Sequence, residues 1–195
     1  MAIEWRTRVE RPFRFADLTA RTEVVLHALL GLAPGTLRVE AMAPVREWKT
    51  RRPIHAPEAG RSRLRALRGP GTPDAEIVLA IRERDTAVDV AFYDRAATHD
   101  VGEAPRCVVS TDLVRDRLAY VLGIATVIAA TELGGGPVSD EALRLTNQDT
   151  ASSERLLAVL QVPGPPGIGL EEAVAAFLAR TRGGDPWPSD PPIPE

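Results

Sequence analysis

Five short segments of the chain alternate between apolar and polar residues, which is the pattern of half-buried β-strands. They lie at residues 3–9, 36–42, 76–83, 87–93 and 105–110. Successive side chains of a strand point to opposite faces, so one face of each segment can pack on a core. Residues 84–86 are a short connection and predict a hairpin between the third and fourth segments. We therefore predict a mostly antiparallel sheet of about five strands.

Apolar residues three and four positions apart predict helices in the rest of the chain. After Asp17, the expected N-cap of the first helix, such residues continue to Gly31, which ends the helix. Two further helices are expected near the C-terminus, at residues 149–161 and 170–182.

The longest predicted helix runs from Thr111 to Leu133, with Ser110 or Thr111 as its cap, and ends at three consecutive glycines. From Leu118 onward its residues are apolar on nearly every side. Such a helix is buried inside the domain or against a partner, since a solvated helix keeps one polar face.

These elements predict an α+β fold in which helices pack on the sheet. Residues 1–135 are expected to form the core domain, and residues 136–182 a helical extension packed on it. Residues 183–195 contain five prolines and are expected to form a tail without regular structure.

Composition points to the cytoplasm. The single cysteine, Cys107, cannot form an internal disulfide, so no oxidising compartment is required. The N-terminus lacks the basic start and apolar run of a signal peptide. The apolar stretch 118–133 falls short of the ~20 residues that cross a bilayer. We expect a cytoplasmic protein without membrane contact.

Positive charge is concentrated between Arg46 and Arg68, which we call the basic segment. It has eight basic and two acidic residues, a net charge of +6, whereas the whole chain is at −3 and the remainder at −9. The segment lies in residues 44–73, where five prolines and three glycines interrupt any regular period. Long loops of this kind are either functional or contain short elements without a clear pattern. The candidate binding residues are Arg46, Trp48, Lys49, Arg51, Arg52, His55, Arg61, Arg63, Arg65 and Arg68.

Three interpretations of the basic segment stay open. It can pair with the acidic remainder of its own domain, bind an acidic surface of a partner protein, or bind nucleic acid with Trp48 stacked on a base. The acidic balance elsewhere argues against nucleic acid, because phosphate binding normally needs a broad basic surface.

No other group of residues stands at a spacing that identifies a catalytic or metal site. His99 and Asp100 lack a second histidine one helical turn away. Cys107 is expected as a small buried apolar residue on its strand, and His27 at the rim of the first helix. His55 has no partner in a recognisable motif. We expect no metal, no cofactor and no catalytic residues.

The order of elements resembles that of immunity proteins from bacterial polymorphic toxin systems. The resemblance rests on the helix at residues 16–26, the basic segment with Trp48, and the strands before the long helix, and it covers about the first 135 residues. It implies a small cytoplasmic α+β protein that occludes a toxin stoichiometrically and has no catalytic residues.

Two classes of function therefore follow from the sequence. The first is a non-catalytic binding protein with an acidic protein partner, including immunity to a toxin. The second is an enzyme that grips an anionic small molecule with Arg46, Arg51, Arg52 and His55, in which case the loop would cover a concave pocket. A homo-oligomer is compatible with either class.

Overall fold

The computed structural model describes residues 2–11, 13–47, 52–54, 75–93, 106–112, 116–139, 150–162 and 168–181. In these ranges the strands are β1 (Ala2–Val9), β2 (Glu40–Glu47), β3 (Arg52–Ile54), β4 (Ala75–Ile81), β5 (Thr86–Tyr93), β6 (Arg106–Asp112), β7 (Gly135–Ser139) and β8 (Thr150–Ala151). The α-helices are α1 (Phe15–Leu30), α2 (Arg117–Gly134), α3 (Ser153–Leu160) and α4 (Leu170–Thr181). The fold is α+β, as predicted.

All the described strands belong to one antiparallel sheet, in the order β3-β2-β4-β5-β6-β1-β7-β8. Five of them correspond to the five alternating segments of the sequence. The predicted hairpin is formed by β4 and β5, from Ala75 opposite Phe92 to Ile81 opposite Thr86. One 3₁₀ turn and Asp85, in the left-handed region at φ 50°, make the connection.

Strands β3, β7 and β8 were not predicted. The glycines at 134–136 were interpreted only as the end of a helix, yet β7 starts at Gly135 and pairs with β1. A Cβ on Gly136 would lie 2.4 Å from the carbonyl oxygen of Arg8, so glycine permits this close approach of the two strands. The segment after residue 135 thus contributes two strands as well as two helices.

The long helix is shorter than predicted at its N-terminus. Residues up to Asp112 continue strand β6, and α2 begins only at Arg117, so neither Ser110 nor Thr111 caps it. The cap is Asp116, whose Oδ1 accepts hydrogen bonds from the backbone N–H groups of Leu118 and Ala119. The predicted burial is confirmed, because every residue from 118 to 131 is buried.

Helix α1 also starts earlier than predicted. Its N-cap is Arg14, which makes no side-chain capping bond, and Asp17 lies in the first turn instead. A carboxylate there still interacts favourably with the positive end of the helix dipole. At the other end Gly31, at φ 64°, terminates the helix as predicted.

The C-terminal helices differ from the prediction by a few residues. Helix α3 begins after Ser152, whose Oγ accepts a hydrogen bond from the N–H of Arg155, and not at Asp149. Helix α4 follows the predicted range closely and buries Val174, Phe177 and Leu178.

The described helices lie on one face of the sheet. Helix α2 packs on β1, β5, β6 and β7, α1 packs along α2, and α3 and α4 contact both of them. The strands turn alternate residues toward these helices, among them Trp5, Leu79 and Val90, which are fully buried. The core is therefore a sheet-on-helix layer with α2 at its centre.

Candidate functional site

The basic segment begins in a strand pair at the end of the described sheet. Arg46 belongs to β2 and Arg52 to β3, where the predictions expected a loop. The register places Arg46 opposite Pro53 on one side and Glu76 on the other, and Arg52 opposite Glu47. Residues of opposite charge therefore occupy opposed register positions in these strands.

The other eight predicted binding residues lie outside the described ranges. They are Trp48, Lys49, Arg51, His55, Arg61, Arg63, Arg65 and Arg68. The structure therefore places two of the ten residues, Arg46 and Arg52, on neighbouring strands at the β3 end of the described sheet.

Strand β3 is a poor template for a further strand. It is the end strand of the described sheet and has three residues, with Pro53 in the middle. Because proline has no N–H, the pair of Arg46 and Pro53 cannot exchange two backbone hydrogen bonds. The nitrogen of Pro53 then faces away from β2, and on that side of the described sheet it offers no donor for a further strand.

His27 is buried, which corrects the prediction that it faces water or the rim. Its side chain is 5% exposed, and its Nε2 accepts a hydrogen bond of 3.1 Å from the backbone N–H of Leu37. A nitrogen that accepts this bond carries no proton, so the neutral imidazole has its proton on Nδ1. The ring thus satisfies a buried backbone donor.

His27 is one of three side chains that hold the connection between α1 and β2, and we call this group the 37–39 clamp. The N–H of Arg38 donates to Glu83 Oε1 at 3.1 Å, and the N–H of Val39 donates to Glu23 Oε2 at 3.0 Å. The predicted strand at 36–42 consequently begins only at Glu40, since three successive N–H groups bond to side chains and not to a strand.

The 37–39 clamp also changes the pKa of Glu83. The hydrogen bond from the Arg38 N–H is the main cause that lowers the pKa of Glu83 below its ordinary value. A hydrogen bond to the ionised form of a carboxylate favours that form. The carboxylate is therefore held in its charged state by the backbone that it anchors.

Two more acids anchor α2. Besides capping the helix, Asp116 accepts a hydrogen bond of 2.6 Å from the Thr86 hydroxyl, which ties α2 to the start of β5. Glu132, near the other end, forms a bidentate ion pair with Arg21 of α1, in which Nη2 lies 2.9 Å from Oε1. This bond raises the pKa of Arg21 above its ordinary value.

Buried hydroxyl groups in the centre of the fold also bond within it. The Oγ1 atoms of Thr7 and Thr131 are 2.8 Å apart, and Thr7 also approaches the carbonyl oxygen of Pro137 at 3.1 Å. Two buried polar atoms among the described residues have no hydrogen-bond partner, the indole N–H of Trp5 and the hydroxyl of Thr22. Neither group titrates near neutral pH.

Asp89 lies on the face of the sheet opposite the helices, and its pKa differs from the ordinary value. It lies on β5, opposite Val78 of β4 and Ser110 of β6. Partial desolvation raises the pKa of Asp89 above its ordinary value. Desolvation disfavours the charged form of a carboxyl group, so even the partial desolvation of this surface residue raises its pKa.

The described ranges contain no group of three or more histidine, cysteine or acidic residues that could hold a metal ion. Cys107 lies on β6 opposite Thr7 of β1 and Phe92 of β5, and the surroundings of its side chain lie outside the description. His99 and Asp100 are also outside the described ranges.

The chain matches no protein-family model, no curated protein and no solved structure at a significant level. Helix α2 is long and apolar enough, by length and composition, to cross a membrane, and 83% of that stretch is buried within the protein. The core helix of a soluble protein passes the same test, so α2 is weak evidence for a membrane span.

Proposed function

We propose that this protein is a non-catalytic binding protein that forms a stoichiometric complex with one protein partner in the cytoplasm. Its basic segment contacts an acidic surface of that partner. The observation that carries the proposal is the net charge of +6 between residues 46 and 68 in a chain that is otherwise at −9. Charge separated in this way steers the encounter with a complementary surface.

The blunted edge at β3 supports recognition through side chains. Strand addition needs a row of free N–H and C=O groups, and Pro53 interrupts that row. A partner is therefore expected to recognise the segment through its side chains rather than by adding a strand to β3.

The roles of the described polar residues support binding over catalysis. His27, Glu23 and Glu83 hold backbone N–H groups, and Asp116 caps a helix. A general acid or base must be free to exchange a proton with a substrate. These groups are instead engaged with the chain itself.

The resemblance to bacterial immunity proteins supports a toxin as the partner. The complex would then occlude the toxin, and the acidic surface bound by the basic segment would belong to it. We propose this as the specific form of the function.

The experiment is a calorimetric and kinetic titration with the product of the adjacent gene. It compares wild type with Arg51→Glu/Arg52→Glu, and with a control that reverses two exposed arginines elsewhere, Arg14→Glu/Arg84→Glu. Both variants change the net charge equally. We expect the first to slow association strongly at low salt and the control to have a smaller effect, with the difference shrinking as salt rises.

Equal affinity and equal association rates for the two variants would show that the basic segment is not the interface. The enzyme interpretation has its own test in thermal stability with inorganic phosphate. Stabilisation of wild type but not of the Arg51→Glu/Arg52→Glu variant, without binding of a protein partner, would replace the proposed function.

A further inference from the structure

We infer that the partner protein also docks on the face of the sheet opposite the described helices, where one of its lysine or arginine side chains pairs with Asp89. This inference rests on the proposed function. It adds a second contact, of opposite charge, to the contact made by the basic segment. The partner surface would then have an acidic patch with a basic residue beside it.

The central strands β4, β5 and β6 turn mostly small apolar residues away from the helices. On β5 every second residue from 86 to 92 is buried toward the helices, so the residues between them have the opposite orientation. The register continues this pattern onto both neighbours, because Val78 lies opposite Asp89 and Val108 opposite Ala91. We call these outward positions the open face, and its members are Val78, Ala80, Ala87, Asp89, Ala91 and Val108.

The open face differs from the usual solvated face of an antiparallel sheet. Such a face normally carries polar residues, whereas five of these six positions are alanine or valine. Ala80 and Val108 do not belong to the hydrophobic core cluster, and Ala87 and Asp89 are exposed. The open face is therefore an apolar floor of small side chains with one charged group.

That charged group has no counterpart in the protein itself. Among the described residues, no hydrogen bond or ion pair is formed with Asp89. Glu40, opposite Ala80 in the register, shows the contrast, because it pairs with Arg82 at 2.9 Å. Partial desolvation raises the pKa of Asp89, and no charged group contributes to that shift. A lysine or arginine of a partner would supply the missing positive charge.

The arginines on the same side of the sheet belong to a more distant strand. Arg6 and Arg8 are exposed on β1, which β6 separates from β5. Since neighbouring strands lie about 4.8 Å apart, β1 is roughly 10 Å from β5. Neither arginine pairs with Asp89, so the carboxylate is available to a partner.

The open face adjoins the start of the basic segment. Arg46 of β2 lies opposite Glu76 of β4, and Glu76 lies opposite Ala91, so these register positions share one face of the sheet with Asp89. The strand geometry puts the backbone of Arg46 roughly 12 Å from that of Asp89. A specific interface covers about 800 Å² on each protein, a patch roughly 30 Å across. A partner that meets Arg46 from this side therefore covers Asp89 as well.

The sign of one charge separates this inference from a general attraction to an acidic surface. If the partner presented only acidic groups, removing the carboxylate of Asp89 would reduce repulsion and tighten the complex. If a partner cation pairs with Asp89, the same removal leaves that cation buried without its counter-charge and weakens the complex. The two cases predict opposite effects of one substitution.

The test is a calorimetric and kinetic titration with the product of the adjacent gene, comparing wild type with Asp89→Asn and Glu172→Gln. Both variants remove one negative charge, but Glu172 is exposed on α4, on the helix side of the sheet. We expect Asp89→Asn to weaken binding about thirtyfold or more, mainly through faster dissociation, and Glu172→Gln to keep wild-type affinity. Urea denaturation of the free Asp89→Asn protein should show no loss of stability, so that weaker binding is not a consequence of damage to the fold.

A second pair of variants tests the apolar floor. Ala87→Gln adds a longer neutral side chain at an exposed position of the open face, and Ala175→Gln adds the same group at an exposed position of α4. The first should weaken binding about fivefold or more, because interfaces are packed as closely as protein interiors and tolerate added volume poorly. The second should not change binding.

The outcomes distinguish this inference from the proposed function. Equal or tighter binding by Asp89→Asn than by Glu172→Gln would overturn the inference, even where Arg51→Glu/Arg52→Glu weakens the complex. A loss in Asp89→Asn alone would support it and remove the basic segment from the interface. A wild-type protein that does not bind this gene product would overturn both. Sedimentation of wild type as a dimer that Asp89→Asn dissociates would identify a second copy as the occupant of the open face and contradict the inference.

Discussion

The indole ring of Trp5 lies directly against the backbone of Gly123, at the contact between β1 and α2. A Cβ placed on this glycine would be 2.2 Å from Trp5 Cζ3 and 2.6 Å from Cη2, closer than any real contact. Tyr120, one turn earlier, meets the same indole edge-on at a centroid distance of 5.5 Å. The absence of a side chain at position 123 sets how closely α2 approaches the sheet.

Gly123→Ala should destabilise the protein, although alanine normally stabilises a helix by about 1 kcal/mol relative to glycine. The methyl group has to displace a rigid buried ring, and overpacking of this kind costs about 1–3 kcal/mol. Chemical denaturation measures the change. In a Trp5→Phe background, where the clashing ring is smaller, the same substitution should cost less, and equal costs in the two backgrounds would contradict the contact.

Leu122→Ala and Ile128→Ala should each lower the free energy of unfolding by about 2–5 kcal/mol. Both side chains are fully buried on α2, so truncation removes apolar contacts and leaves a cavity. Val159→Ala is the control, because Val159 is 41% exposed on α3 and should change stability by less than about 0.5 kcal/mol. Similar values for all three variants would mean that α2 is not the core.

Asp116→Ala should cost about 1–2 kcal/mol, the usual loss for an N-cap. It removes the acceptor of two helix N–H groups and also the shorter of the two hydrogen bonds of the Thr86 hydroxyl, which keeps the carbonyl oxygen of Arg84 at 3.2 Å. Asp116→Asn keeps a capping oxygen and should retain most of the stability in denaturant titrations. Equal losses of stability in the asparagine and alanine variants would show that the capping hydrogen bonds are not the cause of the loss.

Asp89 should make the protein less stable as pH rises through the acidic range. Its pKa is raised in the folded state, so the folded protein binds more protons than the unfolded chain there. Stability is therefore lost between the unfolded pKa and the higher folded pKa. Asp89→Asn should flatten this slope and be more stable than wild type at pH 7, as measured by urea denaturation across pH.

Glu83 should give the opposite dependence of stability on pH. Its pKa is lowered, so its contribution is present above the unfolded pKa and disappears as pH falls through the folded value. Glu83→Gln should remove that contribution at neutral pH, and the difference from wild type should shrink in acid. A difference that stays constant with pH would show that the charge of Glu83 does not matter.

The sequence by itself determined the fold class, five strands and the buried long helix. Alternation with a period of two marked β4 and β5, and the nearly uniform apolar character after Leu118 required burial of α2. These features are local, because the period of the side chains alone shows which face is apolar.

Only the tertiary structure decided the features that depend on partners distant in the chain. Leu37 and Val39 alternate like a strand, but Glu23 and His27 of α1 take their N–H groups, so β2 starts later. Strand β7 exists because β1 offers it an edge, and Asp116 caps α2 because β6 continues to Asp112. In each case a hydrogen-bond partner from another element overrode the local pattern, since buried backbone groups must be satisfied.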